Sequence, residues 1–378
     1  MRATSSRLTR RSLLTSGLMG AGILAAPALI GRAGIATAKT SFAGEGLIVV
    51  SWSGNMELGF RERVIAPFNS KYGTKVETVG GYDQIVPQIM AAPADNPPFD
   101  VTIADEFTTI SGLAENLFVK LDRSAIPGMS AVYPWFDDMR PVAAREFGVP
   151  FNAGSVWMVT SAESGLPHDT WTSLWSDKAA GKISLDGSAF YWDLAITALL
   201  SDAMPGIKEL SGDATTVEAL FARLDQLRVR KWFSDTAEMA NLMLQGEAAQ
   251  ATMYGGDVYR FVNQKKGEFL AAIPKEGTAS YSNWFSKVRG TRHSELADLF
   301  IAYLMERETQ STFLQSNFEI ASRKDVSAPA IWPDYPTSNE QLVQRFNLVS
   351  IDILNKMLPQ WDALTARMKE AVVRSTKS

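Results

Sequence analysis

Residues Phe147–Thr160 read FGVPFNAGSVWMVT, and the fold turns on what this stretch does. Its halves, Val149-Pro150-Phe151 and Val156–Thr160, are rich in β-formers, with Asn152-Ala153-Gly154 between them. Pro150 cannot donate to a central ladder, so the piece belongs at an edge, at a strand start or at a crossing between sheets. A single hairpin in one ordinary domain is the plainer alternative. A crossing would carry the chain from one α/β lobe into a second and leave a cleft between them.

On the N-terminal side of the stretch, strands and helices alternate. Leu47–Trp52 is a continuous apolar run that ends in Ser53-Gly54, as a buried parallel strand would. Glu57–Lys71 carries Leu58, Val64, Ile65 and Phe68 at roughly helical spacing and closes at Tyr72-Gly73. Thr74–Val79 is a second β-rich run, broken by Gly80-Gly81; Ile85, Ile89 and Met90 mark a short helix. Phe99–Ala104 is a third strand, with a helix after it through Leu113 to Leu117. This alternation predicts a mostly parallel sheet with helices on its faces.

The same grammar restarts beyond Thr160. Trp171, Leu174 and Trp175 share a helical face, Gly181 stops that helix, and Lys182–Leu185 is a strand. A helix is expected around Leu194–Leu200, with further helices at Val217–Leu227 and Ala237–Leu244. Gln250–Tyr254 is a strand ending in Gly255-Gly256, and Asp257 stands where it could cap the next helix. Leu270–Pro274 and Trp284–Val288 are short β-rich runs, Glu295–Phe313 is helical, and two helices follow Asn339.

Residues 1–38 do not belong to this fold. Arg10-Arg11 precede a weakly apolar run to Ile30 and then Ala36-Thr37-Ala38, the pattern of an export leader with a small-residue cleavage site. The paired arginines point to the twin-arginine route, and hence to a periplasmic protein. The leader holds five arginines and no acid, so its removal takes the formal charge from −4 to −9. An acidic chain without a basic stripe argues against nucleic acid and anionic lipid as partners. The absence of cysteine removes disulfides, thiol nucleophiles, thiolate metal sites and a lipoprotein anchor. Beyond about 250–300 residues a chain is expected to split its core between lobes.

The catalytic inventory is thin. His168 and His293 lie in polar, loop-like contexts, and no G-x-S-x-G, H-E-x-x-H, G-x-G-x-x-G or complete P-loop occurs. Asp137-Asp138 and similar acid pairs read as solvated turns. No cofactor, metal or catalytic residue is expected. Each expected strand end is instead followed by polar or aromatic residues: Trp52-Ser53-Gly54-Asn55, Asp105-Glu106-Phe107, Asp186-Gly187-Ser188 and Tyr254-Gly255-Gly256-Asp257. Ligand crevices of open α/β sheets lie at those carboxyl ends. Any one of the four could be a turn; four in series point to a binding crevice.

FDVTIAD, FGVPFNAGSVWMV, TWTSLWSDKAAGKISL, GEAAQATMYGGDVY and IPKEGTASYSNWF, in that order, resemble the spermidine/putrescine-type solute-binding proteins of ABC importers over nearly the whole mature chain. The resemblance implies a type II periplasmic binding protein of two α/β lobes joined by crossover strands, with solute held between them. It also implies an inner-membrane permease as partner, a monomer without membrane anchor, and no enzymatic activity. Trp52 matches the family's first-strand aromatic, Tyr254 a later box aromatic, and Tyr281 an aromatic two residues before a ligand carboxylate. That second position is Asn283 here, and the two acids that hold polyamine nitrogens align with Ser188 and Tyr191. These departures favour a small polar solute with one amine or quaternary ammonium, an opine or an amino-acid-like compound, over a polyamine that wants several carboxylates. The expected binding residues are Trp52, Ser53, Asp105, Glu106, Asp186, Ser188, Tyr191, Tyr254, Asp257, Tyr281 and Asn283. The expected lobes are residues 41–150 with 280–318, and 151–279 with 319–378. An exported hydrolase using a carboxylate pair and an iron-binding receptor are the alternatives; the latter lacks an adjacent tyrosine pair.

Overall fold

A computed structural model describes residues 41–82, 84–187, 193, 197, 214–315, 318–330, 332–348, 355, 359 and 361–377. The leader, Ser188, Tyr191 and all but Thr197 of the helix expected at Leu194–Leu200 lie outside the described residues.

The stretch that opens the sequence reading is one long strand. In chain order the strands are β1 (Ile48–Trp52), β2 (Glu77–Gly81), β3 (Val101–Ala104), β4 (Val149–Ser161), β5 (Ile183–Asp186), β6 (Val229–Phe233), β7 (Gln250–Tyr254), β8 (Phe269–Ala272), β9 (Thr278–Lys287), β10 (Ile320–Ala321) and β11 (Phe346–Leu348). Their order across the sheet is β2-β1-β3-β9-β4-β7-β5-β6. β1 pairs in parallel with β2 and β3, and β5 in parallel with β6 and β7. Between these two parallel halves, β9 and β4 run antiparallel to β3, to β7 and to each other, while β11 adds to β9 in parallel. β4 hands the chain across: Val149–Ser155 pair with β9, and Val156–Thr160 pair with β7.

Pro150 is accommodated within this central strand by a shift of register between Pro150 and Asn152, where one residue drops out of the ladder. A bulge is where a residue without an N–H can sit inside a sheet.

The first half buries the Asn55–Phe60, Arg61–Ile65 and Ala66–Tyr72 helical turns through Phe60, Val64, Ile65 and Phe68. Phe60 stacks on Phe285 of β9 at 5.1 Å and meets Phe151, Phe300 and Phe313 edge-on. The second half has its own cluster around Trp171, Leu185, Phe221 and Val229, with Leu364 and Met368 of the Trp361–Lys377 helix. The stretch from Trp332 to Phe346 packs into the first cluster, where Trp135 Nε1 donates to Phe346 O at 3.3 Å.

Five points differ from the expectations. β2 contains Gly80 and Gly81, which pair with Ser51 and Trp52; a Cβ on Gly81 would lie 2.7 Å from Ile85 and one on Gly80 would lie 2.5 Å from Ser53 Oγ. Trp284–Val288 is only the end of the ten-residue β9, whose Thr278–Asn283 part is polar because its small hydroxyls are buried in a two-sided sheet. β6 was not foreseen, since Arg230 and Lys231 interrupt its apolar pattern; it is an edge strand, where such charges discourage further pairing. Trp171–Trp175 is a 3-10 turn, and Glu295–Phe313 is two helices, Ser294–Leu304 and Arg307–Leu314.

Candidate functional site

The carboxyl ends of β1, β3, β5 and β7 carry the residues singled out above, and the crossover strands form the floor between them. Trp52 ends β1 half-buried. Its Nε1 donates to Asn283 Oδ1 at 2.8 Å, which ties the first half to β9. Its ring stacks on Tyr82, 6.2 Å between centroids at an interplanar angle of 11°. Tyr82 is 53% exposed, and its hydroxyl donates to Ser53 O at 2.8 Å. Tyr82 was not among the expected site residues; the available signal was its place directly after Gly80-Gly81 at a strand end.

On the second half, Tyr254 ends β7 and donates through its hydroxyl to Asp186 Oδ2 at the end of β5, at 2.9 Å. Tyr254 also meets Tyr281 edge-on at 6.0 Å. Tyr281 crosses over Gly154, the register partner on β4, where a Cβ would lie 2.2 Å from its ring. Asp186, Tyr254, Thr236, Val156 and Phe233 line a small recess.

Asp193 belongs to this end and was also missed. It is buried, and its Oδ2 has no hydrogen-bond partner. Burial, with Asp186 nearby, pushes its carboxyl well above the ordinary range. The signal available was an acid seven residues after Asp186, at the start of an expected helix.

Asp257 does not cap its helix. Tyr254 occupies the N-cap position of Gly255–Gln264, and Asp257 sits in the first turn. Its Oδ1 accepts from Asn55 Nδ2 at 2.5 Å and its Oδ2 from Thr236 Oγ1 at 3.0 Å. The Asn55 bond joins the two halves directly. Burial pushes Asp257 up, while those two hydrogen bonds pull it down.

Asp105 and Glu106 have structural engagements. Asp105 caps the Glu106–Ala114 helix by accepting from Thr108 N at 2.8 Å. Glu106 is fully buried and accepts from Ser282 Oγ at 2.5 Å; burial lifts it to about 7 against the pull of Arg140. Arg140 stacks on Trp284 at 4.2 Å, and burial lowers it to about 10. Glu319, not anticipated, is buried beside Asp257, accepts from Asn152 Nδ2, and is raised by burial to about 8.

The structure thus brings Trp52, Ser53 and Asn283 together at one end, and Asp186, Tyr254 and Tyr281 at the other, with Asp257 bridging the halves. Among the described residues no group of three His, Asp or Glu side chains could hold a metal, and no helix is long and apolar enough to cross a membrane. The arrangement can offer aromatic faces, buried carboxylates and amides to a small polar molecule.

Comparison with known proteins bears on the fold and the family. The chain is 24% identical to the gamma-aminobutyric acid-binding protein of Pseudomonas aeruginosa over 275 residues, 71% of this chain and 74% of that protein. The A. tumefaciens R10 PBP AgtB, solved with agropinic acid, superposes with a TM-score of 0.68 at 16% identity over 87% of this chain and 99% of that one. The spermidine/putrescine ABC transporter substrate-binding protein PotD of Streptococcus pneumoniae gives 0.68 at 17% identity over 87% and 100%. These structures share the fold, and the relatives bind solutes and are not enzymes. Residues 63–340 match the model of the bacterial extracellular solute-binding proteins, and the chain belongs to that family.

Proposed function

We propose that this protein captures a small, polar, amine-bearing solute between its two halves and delivers it to an inner-membrane ABC permease. The carrying observation is Asp193, a buried carboxylate oxygen without a partner beside Asp186 and the Tyr254 hydroxyl. A cationic amine supplies what that oxygen lacks, and the rings of Tyr254 and Tyr281 flank it. The gamma-aminobutyric acid-binding relative and the agropinic acid complex support a solute of this size and polarity. Trp52 and Ser53 close the other end, and Ser188 and Tyr191 stay on the proposed list from the sequence resemblance alone. The proposed lobes are residues 41–150 with 280–318 and 151–279 with 319–378, crossing on β4 and β9.

A thermal-shift screen over amines, amino acids, opines and polyamines tests this. A solute at 100 times its Kd stabilises the protein by about 2.7 kcal/mol. Asp193→Asn should abolish the shift, because it removes the carboxylate that the amine would meet while keeping the shape of the buried side chain. A screen in which no amine-bearing compound raises the melting point overturns the proposal.

Export belongs to the same proposal: the Arg10-Arg11 pair would route the protein through the twin-arginine pathway to the periplasm. Changing both to lysine should leave it in the cytoplasm. Normal periplasmic yield of the double variant would assign a general secretory route.

A further inference from the structure

We infer that a proton on Glu319 latches the two halves: while that carboxyl is neutral the Asn55–Asp257 bond holds them together, and once it ionises they part. The inference rests on the proposed closure of the halves and adds what controls it. Asn55 Nδ2 on the first half donates to Asp257 Oδ1 at 2.5 Å, and Thr236 Oγ1 on the second donates to Oδ2 at 3.0 Å. Asp257 thus accepts on both oxygens, which suits a carboxylate. Glu319 lies against the same helix end. A Cβ on Gly256, the residue before Asp257, would stand 3.7 Å from Glu319 Oε1. Glu319 Oε2 accepts from Asn152 Nδ2 of β4.

Glu319 is held where it cannot swing out to solvent. Phe318, just before it, stacks on Trp157 of β4 at 4.9 Å, and the Phe318 carbonyl oxygen would lie 2.1 Å from a Cβ on Gly255. Glu319 itself is only 5% exposed. Two acids are therefore fixed at one corner, where both cannot carry charge without repulsion. Burial pushes Asp257 up, while its two hydrogen bonds and Arg260, one turn along the helix, pull it down. Burial, and then the Asp257 charge, push Glu319 up to about 8, so at neutral pH Glu319 holds the proton. Among the described residues, the other titratable groups facing this corner are phenols. Tyr82 faces Asp257 from the first half, Tyr259 lies edge-on to Phe318, and the Tyr335 hydroxyl accepts from Ala321 N. Burial pushes Tyr82 and Tyr335 up, away from neutrality.

Loss of the Glu319 proton sets a second negative charge beside Asp257. Parting the halves relieves it, because the Asn55 side of Asp257 then opens to water. The closed form thus holds the proton more tightly than the open one. By linkage, closure is favoured at low pH and is lost as pH rises through about 8, the value for the closed form. Each pH unit inside that window changes the closed-to-open ratio by at most about tenfold.

The chain has no cysteine, so Lys75→Cys on the first half and Lys178→Cys on the second, both at exposed positions, can carry a donor and an acceptor dye. Energy transfer and small-angle scattering on the full mature chain, without solute, at pH 6 and pH 9 test the inference. From pH 6 to pH 9 the closed population should fall at least about fivefold relative to the open one, and the radius of gyration should grow. Glu319→Gln, which imitates the protonated acid and still offers Asn152 an acceptor, should stay as closed at pH 9 as at pH 6. Asn55→Ala should be open at both. Populations and a radius that do not change between the two pH values overturn the inference. So does a wild-type response that persists in folded Glu319→Gln or in Asn55→Ala. Should Glu319→Gln fail to fold, Asn55→Ala decides. Because no solute is present, failure here leaves the capture reading to the amine screen, and failure of that screen leaves the latch to these measurements.

Discussion

Trp52 sits half-buried, bonded to Asn283 at one edge and stacked on the exposed Tyr82. On the proposed reading, a tryptophan so placed would contribute a face to the cleft more than mass to the core. Trp52→Ala should weaken solute binding by more than tenfold, about 2 kcal/mol, with little change in apo melting temperature. Trp171 is the contrast: fully buried, with its indole N–H on Gly277 O at 2.7 Å. Its replacement by alanine should cost about 3–5 kcal/mol of folding stability. Urea unfolding and calorimetry on both variants separate the roles; a large loss of stability in Trp52→Ala would return that ring to the core. At this scale the sequence placed Trp52, Asp186 and Tyr254 at strand ends, where the structure also has them, and did not show what each side chain does. Strand ends pick out Trp52, Asp186 and Tyr254, because crevices follow from sheet topology. Asp193 and Tyr82 escaped because their roles depend on which side chains burial brings beside them, and no local pattern records that.

Among the elements, β4 was legible from proline and β-branched residues, and the structure makes it the strand that passes between the two halves. Its partner β9 was half hidden. Thr278, Ser280, Ser282 and Asn283 look like loop, yet all are buried, and Ser282 and Asn283 serve to hold Glu106 and Trp52. Polar residues in a fully buried strand are readable only once their partners are known. Gly154 tests the pairing of these strands. A methyl group there would lie 2.2 Å from the Tyr281 ring, too close for either strand to yield without moving. Gly154→Ala should therefore destabilise the protein by about 1–3 kcal/mol and weaken amine binding through displacement of Tyr281. Chemical denaturation and a Kd on the same sample check this. An unchanged Kd would mean that Tyr281 does not contact the solute.

The molecule as a whole buries carboxylates that its solute site uses unequally. Glu106 and Glu319 are raised by burial to about 7 and about 8, so between pH 4.5 and 8 the folded state holds more protons than the unfolded one. Stability should then fall as pH rises through that window. Glu319→Gln, which still offers Asn152 an acceptor, should flatten the slope measured by denaturant unfolding at pH 5.5 and pH 8. Closure depends on another acid. Asp257 takes one hydrogen bond from Asn55 on the first half and one from Thr236 on the second, and these span 202 and 21 residues of chain. A hydrogen bond to a charged group is worth about 1.5–3 kcal/mol net. On the proposed capture, the Asn55 bond would exist only while the halves touch, so its energy would bias the closed form rather than the fold of either half. A ligand that needs the closed form binds with an affinity reduced by the fraction of closed molecules. Asn55→Ala should thus raise Kd about tenfold, chiefly by faster release, while the apo melting temperature stays near wild type. Stopped-flow release rates and scattering profiles of the loaded protein measure the two quantities separately. Unchanged release from Asn55→Ala would show that the two halves are held together elsewhere, with the aromatic pairs at Trp52 and Tyr254 next in line.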